Sequence, residues 1–167
     1  MRIKGKWIVL LIILFLLGGI SLWYITRDSE EAKVKRKLHE LADFGIKAEG
    51  EKEIFGALKV NGTDKVFAPQ FELSLKYDMF SGTYTPREMT ANLARFRMLF
   101  KQVKVRVADT VITINGDKAD AVFTGLLDGV TADGKAVNEV RELNCTLAKI
   151  DGKWLINKLV VRDILEK

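Results

Sequence analysis

Three dipeptides, Asn115-Gly116, Asp133-Gly134 and Asp151-Gly152, divide the C-terminal part of the chain into segments of alternating apolar and polar residues. Asn-Gly and Asp-Gly are preferred in two-residue hairpin turns, because both central positions of such a turn take a positive φ. Alternation is typical of strands whose two faces meet different surroundings. The pattern therefore predicts four antiparallel strands of one sheet, joined by hairpins, between Val103 and Asp163.

A helix is predicted immediately before these strands, over residues 85–100. Thr85 and Glu88 form a capping box, and Pro86 suits the first helical position. The apolar residues that follow recur at helical spacing on one face: Met89, Leu93, Phe96 and Phe100. This pattern predicts an amphipathic helix that ends at residue 100.

Three further segments precede that helix. Apolar spacing predicts helices over residues 28–44 and 52–58, and alternation over residues 71–79 predicts a strand. Helices that precede a sheet with one apolar face must cover that face. The predicted fold class of the globular part is therefore α+β.

The N-terminal region contains an apolar run over residues 7–25 with no charged side chain. At 1.5 Å per residue such a run forms about 28 Å of helix, close to the thickness of a bilayer core. Trp7 stands at one end, and Trp23 and Tyr24 stand at the other. Aromatic rings favour both membrane interfaces, so these three residues are predicted interface anchors of a single transmembrane helix.

A signal peptide cleaved near Ser21 is the alternative to a retained anchor. Gly19 and Ser21 supply the small residues that a cleavage site needs. The apolar run continues past this point to Ile25, which favours retention. We therefore divide the chain into an N-terminal tail and anchor, residues 1–27, and one α+β domain, residues 28–167.

The formal net charge of +5 is concentrated near the apolar run. Four basic residues flank that run: Arg2, Lys4, Lys6 and Arg27. Without them 23 basic residues face 22 acidic ones, so residues 28–167 carry only +1. This balance disfavours a nucleic-acid-binding face, and nucleic acid is not an expected partner.

The charges nearest the apolar run also predict its orientation. The short N-terminal tail is basic, and residues 28–31 are mostly acidic. Basic tails favour the cytoplasmic side, although a basic group soon follows on the other side: Lys33, Lys35, Arg36 and Lys37. We predict location in the cell (inner) membrane, with a cytoplasmic N-terminus and a periplasmic or extracellular domain.

Cysteine and histidine each occur once, as Cys145 and His39. One cysteine cannot form an internal disulfide, and these two residues cannot supply the usual ligands of a zinc site. We therefore expect no metal ion and no cofactor.

The order of elements, together with the last two strands LNCTLAKIDGKWLINKLVV, resembles the nuclear transport factor 2-like (SnoaL-like) superfamily over roughly residues 30–165. The resemblance implies a cone in which a curved sheet wraps around helices. It also implies that the cone often encloses a pocket and that the outer sheet face often forms a homodimer. Because the superfamily includes isomerases, dehydratases, hydrolases and non-enzymatic binding modules, the resemblance carries fold better than function.

Enzymes of this superfamily generally use an aspartate base or an Asp/His pair directed into the cone. His39 lies one residue off the apolar stripe of its helix, which predicts a solvated position. Tyr77 and Asp78 are adjacent on a predicted strand, so they point to opposite faces. Asp109 falls near the end of an element. We therefore assign no catalytic residue.

Five residues are candidates for the wall of an apolar pocket in the cone: Phe96, Phe100, Phe123, Cys145 and Trp154. Residues of this kind more often fill a core, which is the interpretation we favour, and Cys145 shares a strand face with Leu143 and Leu147 as a small core residue would.

Two functions remain from these observations. The first is a membrane-anchored, non-catalytic binding or assembly module, an accessory subunit of a membrane protein complex. It follows from the missing acid/base pair and from the retained anchor. The second is a small-molecule binding protein or enzyme that uses the cone pocket for an apolar ligand. The expected partners are the lipid bilayer and either a membrane protein or a second copy bound through the sheet face.

Overall fold

The computed structural model describes residues 29–75 and 81–162. In chain order the elements are α1 (Glu30–Gly45), α2 (Glu53–Lys59), a 3-10 turn (Thr63–Lys65), β1 (Phe67–Ser74), β2 (Gly82–Tyr84), α3 (Pro86–Met98), β3 (Phe100–Asn115), β4 (Lys118–Thr131), β5 (Ala136–Ile150) and β6 (Lys153–Arg162). The predicted anchor and its aromatic residues Trp7, Trp23 and Tyr24 lie outside this part of the chain. Within residues 29–75 and 81–162, no helix is long and apolar enough to cross a membrane.

The strands form one six-stranded sheet in the order β2-β1-β6-β5-β4-β3. Strands β3 to β6 are the predicted antiparallel meander, and glycines with positive φ occupy all three predicted turns: Gly116, Gly134 and Gly152. Strand β1 adds to this meander in parallel with β6, and β2 pairs with β1. The α+β prediction is confirmed, with two strands more than the hairpin pattern indicated.

Helix α3 begins as predicted and ends earlier than predicted. The Thr85 side chain accepts a hydrogen bond from the Glu88 N–H, and the Glu88 carboxylate accepts one from the Thr85 N–H. The helix ends at Met98, and Phe100 already pairs with Thr131 as the first residue of β3. The placement of Phe100 on the helix face was wrong, because its apolar spacing also satisfies the start of a strand.

The core lies between α1 and the concave face of the sheet. Val34 and Leu38 of α1 are fully buried. They belong to one apolar cluster with further residues of α1, of α3, of the sheet and of the chain just before β1: Phe44, Val66, Phe67, Phe71, Met89, Ala119, Ala121, Phe123, Cys145, Leu147, Trp154, Ile156 and Leu159. Register shifts bend the sheet around the helix, one of them between Ala108 and Val111 where Asp109 has a φ of 48°.

We expect Leu38→Ala to lower the free energy of unfolding by roughly 2–5 kcal/mol, because it leaves a cavity at the centre of the helix–sheet contact. Urea denaturation of the purified protein followed by tryptophan fluorescence measures this change. Lys35→Ala, on the exposed side of the same helix, is the control and should change the free energy by less than about 0.5 kcal/mol. Equal effects of the two substitutions would contradict the buried position of Leu38.

Candidate functional site

The structure brings three of the five sequence-predicted pocket residues together. Phe123, Cys145 and Trp154 lie in the buried cluster with exposed fractions of 3%, 1% and 3%. Burial raises the pKa of the Cys145 thiol, with a further contribution from the charge of Asp120. The thiol therefore stays protonated at neutral pH, which makes it a poor nucleophile.

The other two candidates, Phe96 and Phe100, form a separate ring pair where α3 ends and β3 begins. Their ring centroids are 5.1 Å apart. A ligand in contact with all five residues would therefore have to reach both the buried cluster and this second site. The assignment of the five residues to a pocket wall stays a prediction.

The groups considered for acid/base chemistry are not gathered inside the cone. His39 is exposed on α1, and Asp109 is exposed on β3. Tyr77 and Asp78 lie outside the described residues. Among the buried residues of the described chain, the only polar ones are Thr63 and Arg97. No group of three or more His, Cys, Asp or Glu residues within the described ranges could hold a metal ion.

A charged cluster at the start of α1 is the first feature that the sequence did not predict. Glu30 accepts a hydrogen bond of 2.7 Å from the indole Nε1–H of Trp154. Lys149 and Lys33 also donate to the Glu30 carboxylate, at 2.9 and 2.8 Å. The Lys149 ammonium additionally lies 5.6 Å from the centre of the Trp154 ring, within cation–π range. These contacts fix the beginning of α1 to the hairpin between β5 and β6.

The cluster changes the ionisation of Glu30. Hydrogen bonds from Lys33, Lys149 and Trp154, in that order of importance, lower its pKa from 4.5 to about 2. Glu30 therefore remains an anion through the whole physiological range. The sequence signal was weak, because an acidic residue in the first turn of a helix is common for local reasons.

A buried cation lies at the other end of α1. The Arg97 guanidinium, on α3, donates to the backbone oxygens of Phe44 and Ile46 and forms an ion pair with Glu51. Arg97 is only 4% exposed. Nearby, Lys47 Nζ donates to the carbonyl oxygen of Phe100 at 2.7 Å. The two Arg97 contacts satisfy carbonyl groups where α1 ends, which no partner within the helix can reach.

Glu51 is the acidic partner in this second cluster. Burial acts to raise its pKa, but hydrogen bonds from Lys59 and the Ala48 N–H, together with Arg97, outweigh burial and lower it. The Glu51 side chain is 7% exposed. Helix α2 lies directly over this pair, since a Cβ atom on Gly56 would be 3.3 Å from Glu51 Oε1.

Five large apolar side chains on α2 and at the end of α3 are 55–73% exposed: Ile54, Phe55, Leu58, Met98 and Leu99. A cleft of about 240 Å³ between the two helices is lined in part by Gly56, Ala57, Ala94 and Met98. The sequence signal for the exposed side chains of α2 was the spacing of Ile54, Phe55 and Leu58, which also describes a buried helix face.

A family model for SnoaL-like domains matches residues 57–160. Among solved structures, a protein from Kribbella flavida aligns with a TM-score of 0.66 at 12% identity, covering 79% of this chain and 88% of that chain. Hexachlorocyclohexane dehydrochlorinase from Novosphingobium barchaimii aligns with a TM-score of 0.59 at 14% identity, covering 79% of this chain and 84% of that chain. A nuclear transport factor 2-like superfamily protein from Salmonella enterica aligns with a TM-score of 0.56 at 14% identity, covering 80% of this chain and 95% of that chain.

The predicted resemblance is therefore confirmed at the level of fold. Identities of 12–14% carry no information about shared activity. No curated protein matches the sequence.

We expect Glu30→Ala to destabilise the protein more than Glu30→Gln. Alanine leaves the buried indole N–H of Trp154 without an acceptor, at a cost of about 1–3 kcal/mol, whereas glutamine keeps an acceptor oxygen. Thermal unfolding at pH 7 compares the two variants. Equal midpoints would show that the indole hydrogen bond adds no stability.

In both variants the free energy of unfolding should also depend less steeply on pH in the acidic range. Because the folded-state pKa of Glu30 lies below its ordinary value of 4.5, its contribution is present above pH 4.5 and is lost as the pH falls towards 2. The contribution should be about 1 kcal/mol or less, since the carboxylate is partly exposed and solvent screens it. Urea denaturation between pH 5 and pH 2 measures it, and an unchanged slope in Glu30→Gln would contradict the lowered pKa.

We expect Arg97→Met to lower the free energy of unfolding by roughly 1–3 kcal/mol, because it leaves the carbonyl oxygens of Phe44 and Ile46 without their donor and leaves Lys59 as the one remaining cation of Glu51. The double variant Arg97→Met/Glu51→Met should recover part of this loss. Arg95→Met, on the exposed side of α3, is the matched control. Urea denaturation measures the free energy of unfolding of all three variants. Similar losses in Arg97→Met and Arg95→Met would contradict the buried ion pair.

Proposed function

The chain belongs to the SnoaL-like domain family, and we propose that it is a non-catalytic binding module, tethered to a membrane, that assembles with a membrane protein complex. The observation that carries this proposal is the composition of the cone interior. The buried cluster between α1 and the sheet consists of apolar residues, with Cys145 protonated. General acid/base chemistry requires a titratable group within hydrogen-bond reach of the reacting atom.

The N-terminal segment supports the membrane tether. Residues 7–25 have the length and apolar character of a membrane span, with Trp7 at one end and Trp23 and Tyr24 at the other. Only four residues separate Ile25 from Glu30, and Glu30 is fixed to the sheet by Trp154 and Lys149. A tether so short would hold this edge of the domain close to the bilayer.

The charge pattern around the apolar run supports the orientation of this tether. A basic tail precedes the run and acidic residues 28–31 follow it. We therefore place the N-terminus in the cytoplasm and the domain in the periplasm or outside the cell. In this location the domain meets the external parts of other membrane proteins.

Binding or conversion of a small apolar ligand is the second candidate. It is favoured by partly buried apolar side chains packed against the cluster, which include Leu73, Tyr84, Leu93 and Leu143. One structural neighbour is a hexachlorocyclohexane dehydrochlorinase. An enzyme would need a carboxylate directed at these side chains, with Asp78 and Asp109 as the sequence candidates. Asp109 is exposed on the bulged strand β3, which disfavours it for this role.

A homodimer through the outer face of the sheet is compatible with either candidate. Val111 and Val122 are opposite each other on β3 and β4 and are 66% and 40% exposed. Arg106 and Asp128 form an exposed ion pair on the same two strands, at 2.6 Å. An apolar centre with charged residues around it is a common arrangement in interfaces.

Native mass spectrometry of the full-length protein, extracted gently from its own membranes, tests the proposed function. We expect co-purifying protein subunits at a fixed ratio and an intact mass that includes residues 1–27. A monomer or homodimer that carries a small molecule would favour the second candidate instead. A mass that begins after Ser21 would contradict the membrane tether.

A further inference from the structure

We propose that one end of the domain contacts the zwitterionic phospholipid headgroups of the membrane and thereby sets the orientation of the domain. This inference rests on the proposed membrane tether and names the surface that meets the bilayer. We define this surface, the tethered end, as the first turn of α1 together with the turns of the β3–β4 hairpin, residues 115–118, and of the β5–β6 hairpin, residues 150–153.

Hydrogen bonds hold the three segments of the tethered end together. The Glu30 carboxylate accepts from Lys149 at 2.9 Å and from Trp154 at 2.7 Å, and these two residues are paired on β5 and β6. The backbone N–H of Lys149 donates to the carbonyl oxygen of Asp117 in the β3–β4 turn, at 2.8 Å. Both turns therefore lie beside the start of α1.

The length of the linker limits how far the tethered end can lie from the bilayer. Ile25, the last residue of the apolar run, is five positions before Glu30. A fully extended chain spans at most about 3.6 Å per residue, so this linker reaches at most about 18 Å. Helix α1 alone has 16 residues and is about 24 Å long. Whatever the tilt of the domain, the start of α1 therefore stays close to the point where the proposed span leaves the bilayer.

The hairpin turns extend past the start of α1. The turn residue Gly152 lies two positions beyond Trp154, which at 3.3 Å per residue is about 7 Å beyond the pair that holds Glu30. Helix α1 runs in the other direction, because Lys47, just after it, pairs with Val103 near the far end of β3. The body of the domain therefore lies on one side of Glu30, and the turns extend on the side from which the linker enters.

The side chains of the two turns suit the headgroup layer. Each turn carries one carboxylate and one ammonium group, Asp117 with Lys118 and Asp151 with Lys153, and all four side chains are exposed. Within residues 29–75 and 81–162 none of the four has an ion-pair partner. A lysine ammonium donates strong hydrogen bonds to phosphate oxygens, and a carboxylate accepts them from the ammonium of phosphatidylethanolamine. Ile150, opposite Lys153 and 37% exposed, adds an apolar contact.

The charge balance of the tethered end favours zwitterionic over anionic lipid. Residues 29–33, 115–118 and 149–153 contain four basic and four acidic residues, a net charge of zero: Lys33, Lys118, Lys149 and Lys153 against Glu30, Glu31, Asp117 and Asp151. Anionic lipid attracts segments with an excess of lysine and arginine, by about 1 kcal/mol per basic residue. This surface has no such excess, so it matches headgroups that carry both charges.

Fluorescence quenching in vesicles tests the contact. Cys145 is 1% exposed, so a thiol-reactive NBD dye labels an introduced surface cysteine selectively. The full-length protein carries Asn115→Cys in the β3–β4 turn, or Ala132→Cys in the β4–β5 turn as the matched control, and both positions are exposed. The vesicles consist of phosphatidylethanolamine and phosphatidylcholine with nitroxide on a fraction of the headgroups.

We expect quenching at position 115 to be at least about twofold stronger than at position 132, because the 14-residue strand β4 separates the two turns by about 45 Å. Equal quenching at the two positions, or none at either, would overturn the proposed contact.

Substitution tests the lysines of the tethered end. Lys118→Ser/Lys153→Ser should lower the quenching at position 115 towards the level at position 132. Lys101→Ser/Lys135→Ser, exposed at the opposite end of the sheet, should leave it unchanged, and neither double variant should alter the thermal midpoint. Unchanged quenching in the first double variant, or stronger quenching when phosphatidylglycerol is added, would overturn the proposed headgroup contact.

Vesicle flotation separates this inference from the proposed function. A full-length protein that floats with the vesicles but shows equal quenching at the two turns would overturn the headgroup contact and leave the membrane tether standing. A protein that does not float with the vesicles would contradict both.

Discussion

The packing of α1 into the concave face of the sheet is the interaction on which the other features of this domain depend. Val34 and Leu38 are fully buried in it, and the sheet bends around the helix through its register shifts. Burial of apolar area supplies most of the stability but is not directional. The exact placement of the helix therefore comes from its two ends, where Glu30 meets Trp154 and Arg97 meets the last carbonyl groups.

These two ends have different surroundings and suggest different roles. At the first end, the ionised carboxylate of Glu30 binds the buried indole of Trp154 and so holds the start of α1 to the sheet. At the second end, a buried ion pair supports α2, which directs large apolar residues outward. Both clusters hold the same helix.

The SnoaL-like fold permits catalysis, since the curved sheet can direct strand residues into a common interior. In the described part of the chain, the two clusters of charged groups around Glu30 and Arg97 lie at the ends of α1, and none of their charged residues belongs to the apolar cluster. A carboxylate inside that cluster would lose its hydration without gaining a partner. The same separation gives the domain an apolar interior and keeps its ionic contacts at the two ends of α1.

Much of the fold could be predicted from local patterns in the sequence. The Asn-Gly and Asp-Gly turns and the capping box at Thr85 were predicted correctly, because each involves neighbouring residues whose backbone preferences act within a few positions. Apolar spacing wrongly placed Phe100 on the helix. A residue where a helix meets a strand can fit the helical spacing and the strand alternation at once. The parallel pairing of β1 with β6 was not predicted, because no local signal specifies a partner so far along the chain.

The candidate sites were decided only by tertiary structure. Glu30 and Trp154 are 124 positions apart, and Arg97 lies 53 positions from Phe44. Nothing in the neighbourhood of either residue distinguishes it from an ordinary helix-capping acid or a solvated arginine. The outward direction of Ile54 and Leu58 likewise follows from where α2 packs. Sequence determined which elements form, because that is a local property, and the packing of distant elements decided which side chains are buried, paired or exposed.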